Sequence, residues 1–295
     1  MKEPGKSIFS VCFTVLFLFV SSLTFTACGN NSPAYDPQAE FAKACADAAI
    51  ATPEEISKNL IAITPDNQDL IWENGVTGSR VLVVSWVNQS ICNAYKCPPE
   101  GCQPTDTCKE GKECPYGWDT YVTVVPELKD FFQATPVTSL RIAQLLGLPP
   151  SDAQNKACFL EMWVSPQDLF RPSPDPEITD HEAELDFPLG APFRTYSTLE
   201  LVYADQAYDA AQCAPGHPEG ACGFTDYQNY INNRRKYIYT SSKPYPWTAL
   251  GYTYDWGNPD QHVGLSEFVV HGRKADGSKI TVGIKAVTAT ASYFP

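Results

Sequence analysis

The densest polar run in the chain is residues 175–186 (DPEITDHEAELD), with six carboxylates in twelve residues. If residues 180–187 are extended, Glu182, Glu184 and Asp186 share one face and His181, Ala183, Leu185 and Phe187 the other. Same-face carboxylates about 7 Å apart repel unless water, an arginine or a cation intervenes. Hard oxygen ligands suit calcium, so these three are the candidate metal ligands and Ca2+ the candidate ion. The run lacks the glycine and alternating Asp/Asn of a calcium loop, which leaves a solvated strand face as the competing expectation. No other cofactor is expected.

A second cluster lies in residues 244–272, where Trp247, Tyr252, Tyr254 and Trp256 precede or surround Asp255, Asp260, His262, Ser266 and Glu267. Aromatic faces supply contact area and carboxylates supply orientation, so the four aromatics form a candidate ligand-binding strip for a carbohydrate or peptide. The competing expectation places them as core and edge residues of a sheet. Glu267 with Asp255 or Asp260 is also a candidate acid–base pair for a glycosidic bond, and His262 a further catalytic candidate. A serine nucleophile is disfavoured: strand alternation turns Ser266 and Glu267 to opposite faces, and no GxSxG elbow surrounds the serine. The sequence has no phosphate loop, HExxH or dinucleotide fingerprint.

The elements that must position these residues read as α+β. Residues 36–60 have helical spacing at Ala39, Phe41, Ala42, Cys45 and Ala49, with Thr52-Pro53-Glu54-Glu55 restarting a helix as a capping box. Residues 80–88 (RVLVVSWVN) are apolar on both alternating faces, which predicts a central strand. Residues 121–128 predict a strand closed by Pro126, 138–146 a short helix, 158–164 a strand and 195–204 another. The tyrosine-rich residues 227–239 predict a helix passing into a strand, and 263–271 with 279–289 a hairpin about Asp276-Gly277. The expected fold is a predominantly antiparallel sheet with two or three helices in the N-terminal half, one domain over residues 37–295.

Eleven cysteines are present. Five of them, Cys92, Cys97, Cys102, Cys108 and Cys114, fall in a proline- and glycine-rich insertion at residues 90–118 that shows no hydrophobic period. Their spacing is too wide for CxxC zinc knuckles and no histidine accompanies them, so a disulfide-stapled loop is expected. Cys213 and Cys222 bracket a short loop and are the expected local pair. The formal charge of −13 excludes electrostatic binding to nucleic acid and to anionic headgroups.

The N-terminus gives an address. Lys2 and Lys6 precede an uncharged run at residues 8–20 (IFSVCFTVLFLFV), short for a membrane span and suited to a signal-peptide core. With Phe25-Thr26-Ala27-Cys28 it resembles the lipobox of bacterial lipoproteins, although Phe25 stands where leucine is usual. The resemblance implies a signal peptide at residues 1–27, acylation of Cys28 (palmitate among the acyl chains), a tether at residues 28–36, and a lipid bilayer as partner on the extracytoplasmic side of the cell envelope. Removing residues 1–27 and acylating Cys28 leaves nine cysteines, so one thiol stays unpaired. The expected function is a membrane-anchored ligand-binding or interaction module taking a small molecule, glycan or peptide. The alternatives are a glycosidase-like hydrolase using paired carboxylates, and a structural envelope protein.

Overall fold

A computed structural model describes residues 35–185, 221–274 and 277–294, and at residues 221–226, 228 and 229 the backbone alone. The uncharged run VLVVSWVN forms β1 (Val81–Asn88), the fourth of seven strands in an antiparallel sheet. The others are β2 (Glu113–Tyr116), β3 (Thr120–Val124), β4 (Lys156–Val164), β5 (Leu169–Phe170), β8 (Phe268–Val270) and β9 (Ile280–Ala289), in the order β2-β9-β4-β1-β3-β8-β5. A separate two-stranded sheet pairs β6 (Tyr252–Tyr254) with β7 (Val263–Ser266).

Both faces of the large sheet are covered, which is why β1 is apolar on both. Val81, Val83, Val122, Leu160, Met162, Phe268 and Val282 pack on one face with Ile63, Leu70 and Trp72 from the residues before β1. Leu82, Val84, Trp86 and Phe159 pack on the other with two helices, α3 (Val125–Phe131) and α4 (Ser139–Leu145). Among the described residues the remaining α-helices are α1 (Pro37–Asp47), α2 (Gln89–Tyr95), α5 (Asp152–Asn155) and α6 (Ala221–Thr240). The fold is therefore α+β with an antiparallel sheet, but the helices are not confined to the N-terminal half: the longest described, α6, lies in the C-terminal half and extends the short helix expected within residues 227–239.

Four local expectations are corrected. Pro126 opens α3 instead of merely ending a strand, because proline's fixed φ and missing N–H suit the first helical turn. The capping box at Thr52 and Glu55 forms, but caps only a 3-10 turn at Pro53–Glu55. In place of the expected hairpin, Arg273 and Lys279 form an isolated bridge. The strands beyond it separate, β8 pairing with β3 and β5 while β9 inserts between β2 and β4. Residues 227–239 are helical throughout.

Among the described residues three cysteine pairs are at disulfide distance: Cys92 with Cys158, Cys97 with Cys102, and Cys108 with Cys114. The insertion at residues 90–118 is thus stapled to itself twice and to β4 once, and it also carries most of α2 and all of β2. Cys45 is a free, buried thiol that desolvation pushes up to about 12. Cys213, the side chain of Cys222, Cys28, Asp186 and the strand at 195–204 lie outside the described residues, and with them the expected Cys213–Cys222 pair. Among the described residues no helix is long and apolar enough to cross a membrane.

Candidate functional site

The site is built where the chain passes from the small sheet to the large one. β7 pairs with β6, β8 pairs with β3, and Glu267 is the single residue between them. Its N–H donates to the Gly251 carbonyl at 2.8 Å. Gly251 holds φ +69°, a conformation natural to glycine, and any side chain there would collide with the buried Arg171. On the other side of this junction Ser266 is fixed by Glu127, whose carboxylate accepts from the Ser266 N–H at 3.0 Å and from its hydroxyl at 2.9 Å. The Ser266 hydroxyl oxygen in turn accepts from the Ile61 N–H at 2.7 Å. Ser266 is 1 % exposed and committed to these bonds, so it is a structural serine. Burial raises the Glu127 carboxyl above its ordinary value, and the hydrogen bonds from Ser266 oppose that shift.

Glu267 faces the opposite way, into a cavity of about 410 Å³. The surface it retains is cavity wall, and burial pushes its carboxyl up to about 8 against the opposing pull of the Trp247 indole N–H and the Arg234 guanidinium. Its Oε2 and the neighbouring Trp247 Nε1 are both buried, and neither makes a hydrogen bond of normal geometry. A carboxyl in this state is mostly neutral at pH 7 and can donate as well as accept. Trp247, Tyr252 and Tyr254 from the aromatic cluster line the same cavity, with Val84 and Trp86 of β1, Tyr121 of β3 and Phe159 of β4 behind them.

The sequence candidates divide between the cavity and other sites. Trp247, Tyr252, Tyr254 and Trp256 are all under 4 % exposed, so the strip forms inner wall and core instead of an open platform. Trp256 is not a cavity residue; its indole N–H donates to the Leu148 carbonyl at 2.9 Å and its ring meets Phe41 of α1 edge-on. Asp255 accepts from both terminal nitrogens of Arg141 in α4, at 2.6 and 2.5 Å, and from Gly257 N–H. Asp260 is exposed in the 3-10 turn Pro259–Gln261. His262 stacks on Tyr254 with centroids 4.5 Å apart, its Nε2 3.3 Å from both Glu55 and the Tyr252 hydroxyl. Neither aspartate joins Glu267 at the cavity.

Other residues complete the site, and the sequence reading missed them. Arg234 of α6 lines the cavity, donating from Nε to the Tyr121 hydroxyl at 3.1 Å and from Nη2 to the Tyr245 hydroxyl. Tyr227, Tyr230, Arg234 and Tyr237 recur at spacings of three and four, the signal of one helix face that could have singled out this arginine.

Among the described residues two groups have the ligand spacing for a cation. Carboxylate oxygens of Asp180, Glu182 and Glu184 lie within 4.8 Å of one another, as do ligand atoms of Asp47, Glu55 and His262. Burial, then Asp175, pushes the Glu184 carboxyl up to about 7. Lys58 pairs with Glu182, and Arg171 Nη2 lies 3.8 Å from Asp180, so protein cations already reach two of the first three carboxylates. The calcium expectation thus concerns Glu182 and Glu184 joined by Asp180, with Asp186 outside the described residues.

No protein-family model, curated protein or solved structure matches this chain.

Proposed function

We propose that the chain is a membrane-anchored extracytoplasmic lipoprotein whose folded part binds a small glycan or peptide ligand in the cavity beside Glu267. The observation that carries the reading is the Glu267 Oε2, buried at a cavity wall without a hydrogen-bond partner. Buried polar atoms are nearly always satisfied, and a ligand or ordered water in the cavity would satisfy this one. The volume falls in the range of small-molecule pockets, and the lining combines aromatic walls with a few convergent polar groups. The three cysteine pairs fit an oxidising compartment and support the address given by the N-terminus.

Binding is favoured over glycosidic hydrolysis because neither expected partner carboxylate reaches Glu267, and Asp119, which also lines the cavity, is engaged by His271 and the Gly272 N–H. Asp255 is held by Arg141, and Asp260 is out in solvent. The test is thermal melting of the mature protein against a panel of mono- and disaccharides and di- and tripeptides. At least one should raise the melting temperature of the wild type and fail to do so in Trp247→Ala. A panel that shifts both proteins equally refutes the cavity as the site. Intact mass of the membrane-extracted protein tests the anchor, which requires an N-terminal mass of acylated Cys28 and no residues 1–27.

A further inference from the structure

We infer that the ligand of this cavity is a carboxylate with an apolar body, and that its carboxylate seats on Arg234 between Tyr121 and Tyr245. The inference rests on reading the cavity as a ligand site and names the chemistry that would fill it.

Arginine is charged at any pH the protein meets, and a cation taken from bulk water needs a counter-ion or a full set of acceptors. Two other arginines have a counter-ion. Arg80 is held by Glu73 and Glu113 at 2.6–2.8 Å, and Arg141 by Asp255. Arg234 differs. Its guanidinium lies 5.1 Å over the Tyr121 ring and 5.7 Å over that of Tyr245, and its hydrogen bonds go to the hydroxyls of those two tyrosines. Its Nη1 donates to nothing among the described residues, and no carboxylate there forms an ion pair with it. The neutral phenols hold the fork in place without discharging it.

The two acids that line the cavity do not discharge it either: Asp119 is engaged by His271 at 2.9 Å and by the Gly272 N–H. Glu267 keeps its proton near neutrality, so it presents a donor to an incoming anion instead of a competing charge. Arginine's planar fork matches a carboxylate through two parallel N–H···O bonds, and the tyrosine hydroxyls bound to it flank that position. The wall also carries Asp119, Lys156 and several hydroxyls, and its apolar part, with Trp86, Leu128, Leu148 and Phe159, is available to a hydrocarbon body. A free aryl- or alkyl-carboxylic acid and the C-terminus of a short peptide ending in an apolar residue present the same chemistry.

The test is calorimetric titration of the whole mature protein with two matched pairs: 3-phenylpropanoate against 3-phenylpropanamide, and Gly-Phe against Gly-Phe amide. Each amide keeps the shape and removes the charge. The acids should bind at least tenfold tighter than their amides, and the tighter of the two acids names the source. Arg234→Met should abolish the preference, and Arg234→Lys, which keeps a charge without the fork, should retain part of it. The acid–amide ratio in the wild type stands as a test even if an Arg234 variant fails to fold. Amides that bind as tightly as the acids overturn the carboxylate assignment and leave the cavity reading intact. A preference indifferent to both Arg234 variants also overturns it, because the anion then sits elsewhere. No binding by any of the four up to 10 mM (~10,000 times a micromolar constant) overturns the carboxylate assignment, and the saccharide and peptide panel then decides the cavity reading by itself.

Discussion

Replacing Glu267 by glutamine keeps the side chain's size and removes its titration, so the variant isolates what burying this carboxyl costs the fold. Burial raises the group from its ordinary value of 4.5 to about 8. Below pH 4.5 folded and unfolded chains both hold the proton, and the group has no effect on stability. Between the two values the unfolded chain has released the proton and the folded chain retains it, so stability falls as pH rises. Above pH 8 the loss is complete. At about 1.36 kcal/mol per pH unit the full window is worth at most about 5 kcal/mol, and about 2–5 kcal/mol once water entering the cavity relaxes part of the penalty. Urea denaturation of both proteins at pH 4.5, 6, 7 and 8.5 reads this directly, and the difference between them cancels other titrating groups such as Glu127. Glu267→Gln should match the wild type at pH 4.5 and exceed it progressively to pH 8.5. A difference that stays flat with pH, or a glutamine variant less stable at pH 8.5, would mean that the carboxyl is not buried as described.

Three further outcomes follow from other parts of the molecule. Asp255→Asn leaves the largely buried Arg141 without its counter-ion and should cost about 3–5 kcal/mol by denaturant unfolding, while any cavity ligand still binds the folded fraction. Gly251→Ala places a methyl 2.7 Å from the Arg171 Cγ at φ +69°, and should cost about 2–4 kcal/mol by the same measurement. Replacing Cys92 and Cys158 by alanine opens a loop of 66 residues and should cost about 4 kcal/mol, against about 2 kcal/mol for the five-residue Cys97–Cys102 loop, so equal losses would contradict the chain-entropy account.

Much of the sheet is legible in the sequence because burial on both faces leaves an apolar run of the right length, as in β1 and β4. Strand order is not legible there. The dipeptide before Ser278 carries a hairpin signal that is satisfied by a single bridge, and the pairing of β9 with β4 and β2 is decided by packing at long range. At the site, Glu267, Trp247, Tyr252 and Tyr254 are named by their residue types, since a carboxyl amid aromatics is conspicuous at any position. What the types do not show is which way the cluster faces. α1 covers Tyr254 and Trp256 from outside, turning a proposed platform into a wall. Arg234 escapes notice because its partners, Tyr121 and Tyr245, come from segments far apart in the chain or beyond the helix end.

The position of β9 has a consequence for assembly. A growing chain that has reached residue 279 holds every strand of the large sheet except one that belongs in its interior. Until residues 280–289 arrive, β4 presents an unzipped row of backbone donors and acceptors, and β2 has no neighbour to hold it to the rest. The closing segment is therefore a splice, and clipping it would leave two open seams where an intact molecule has none.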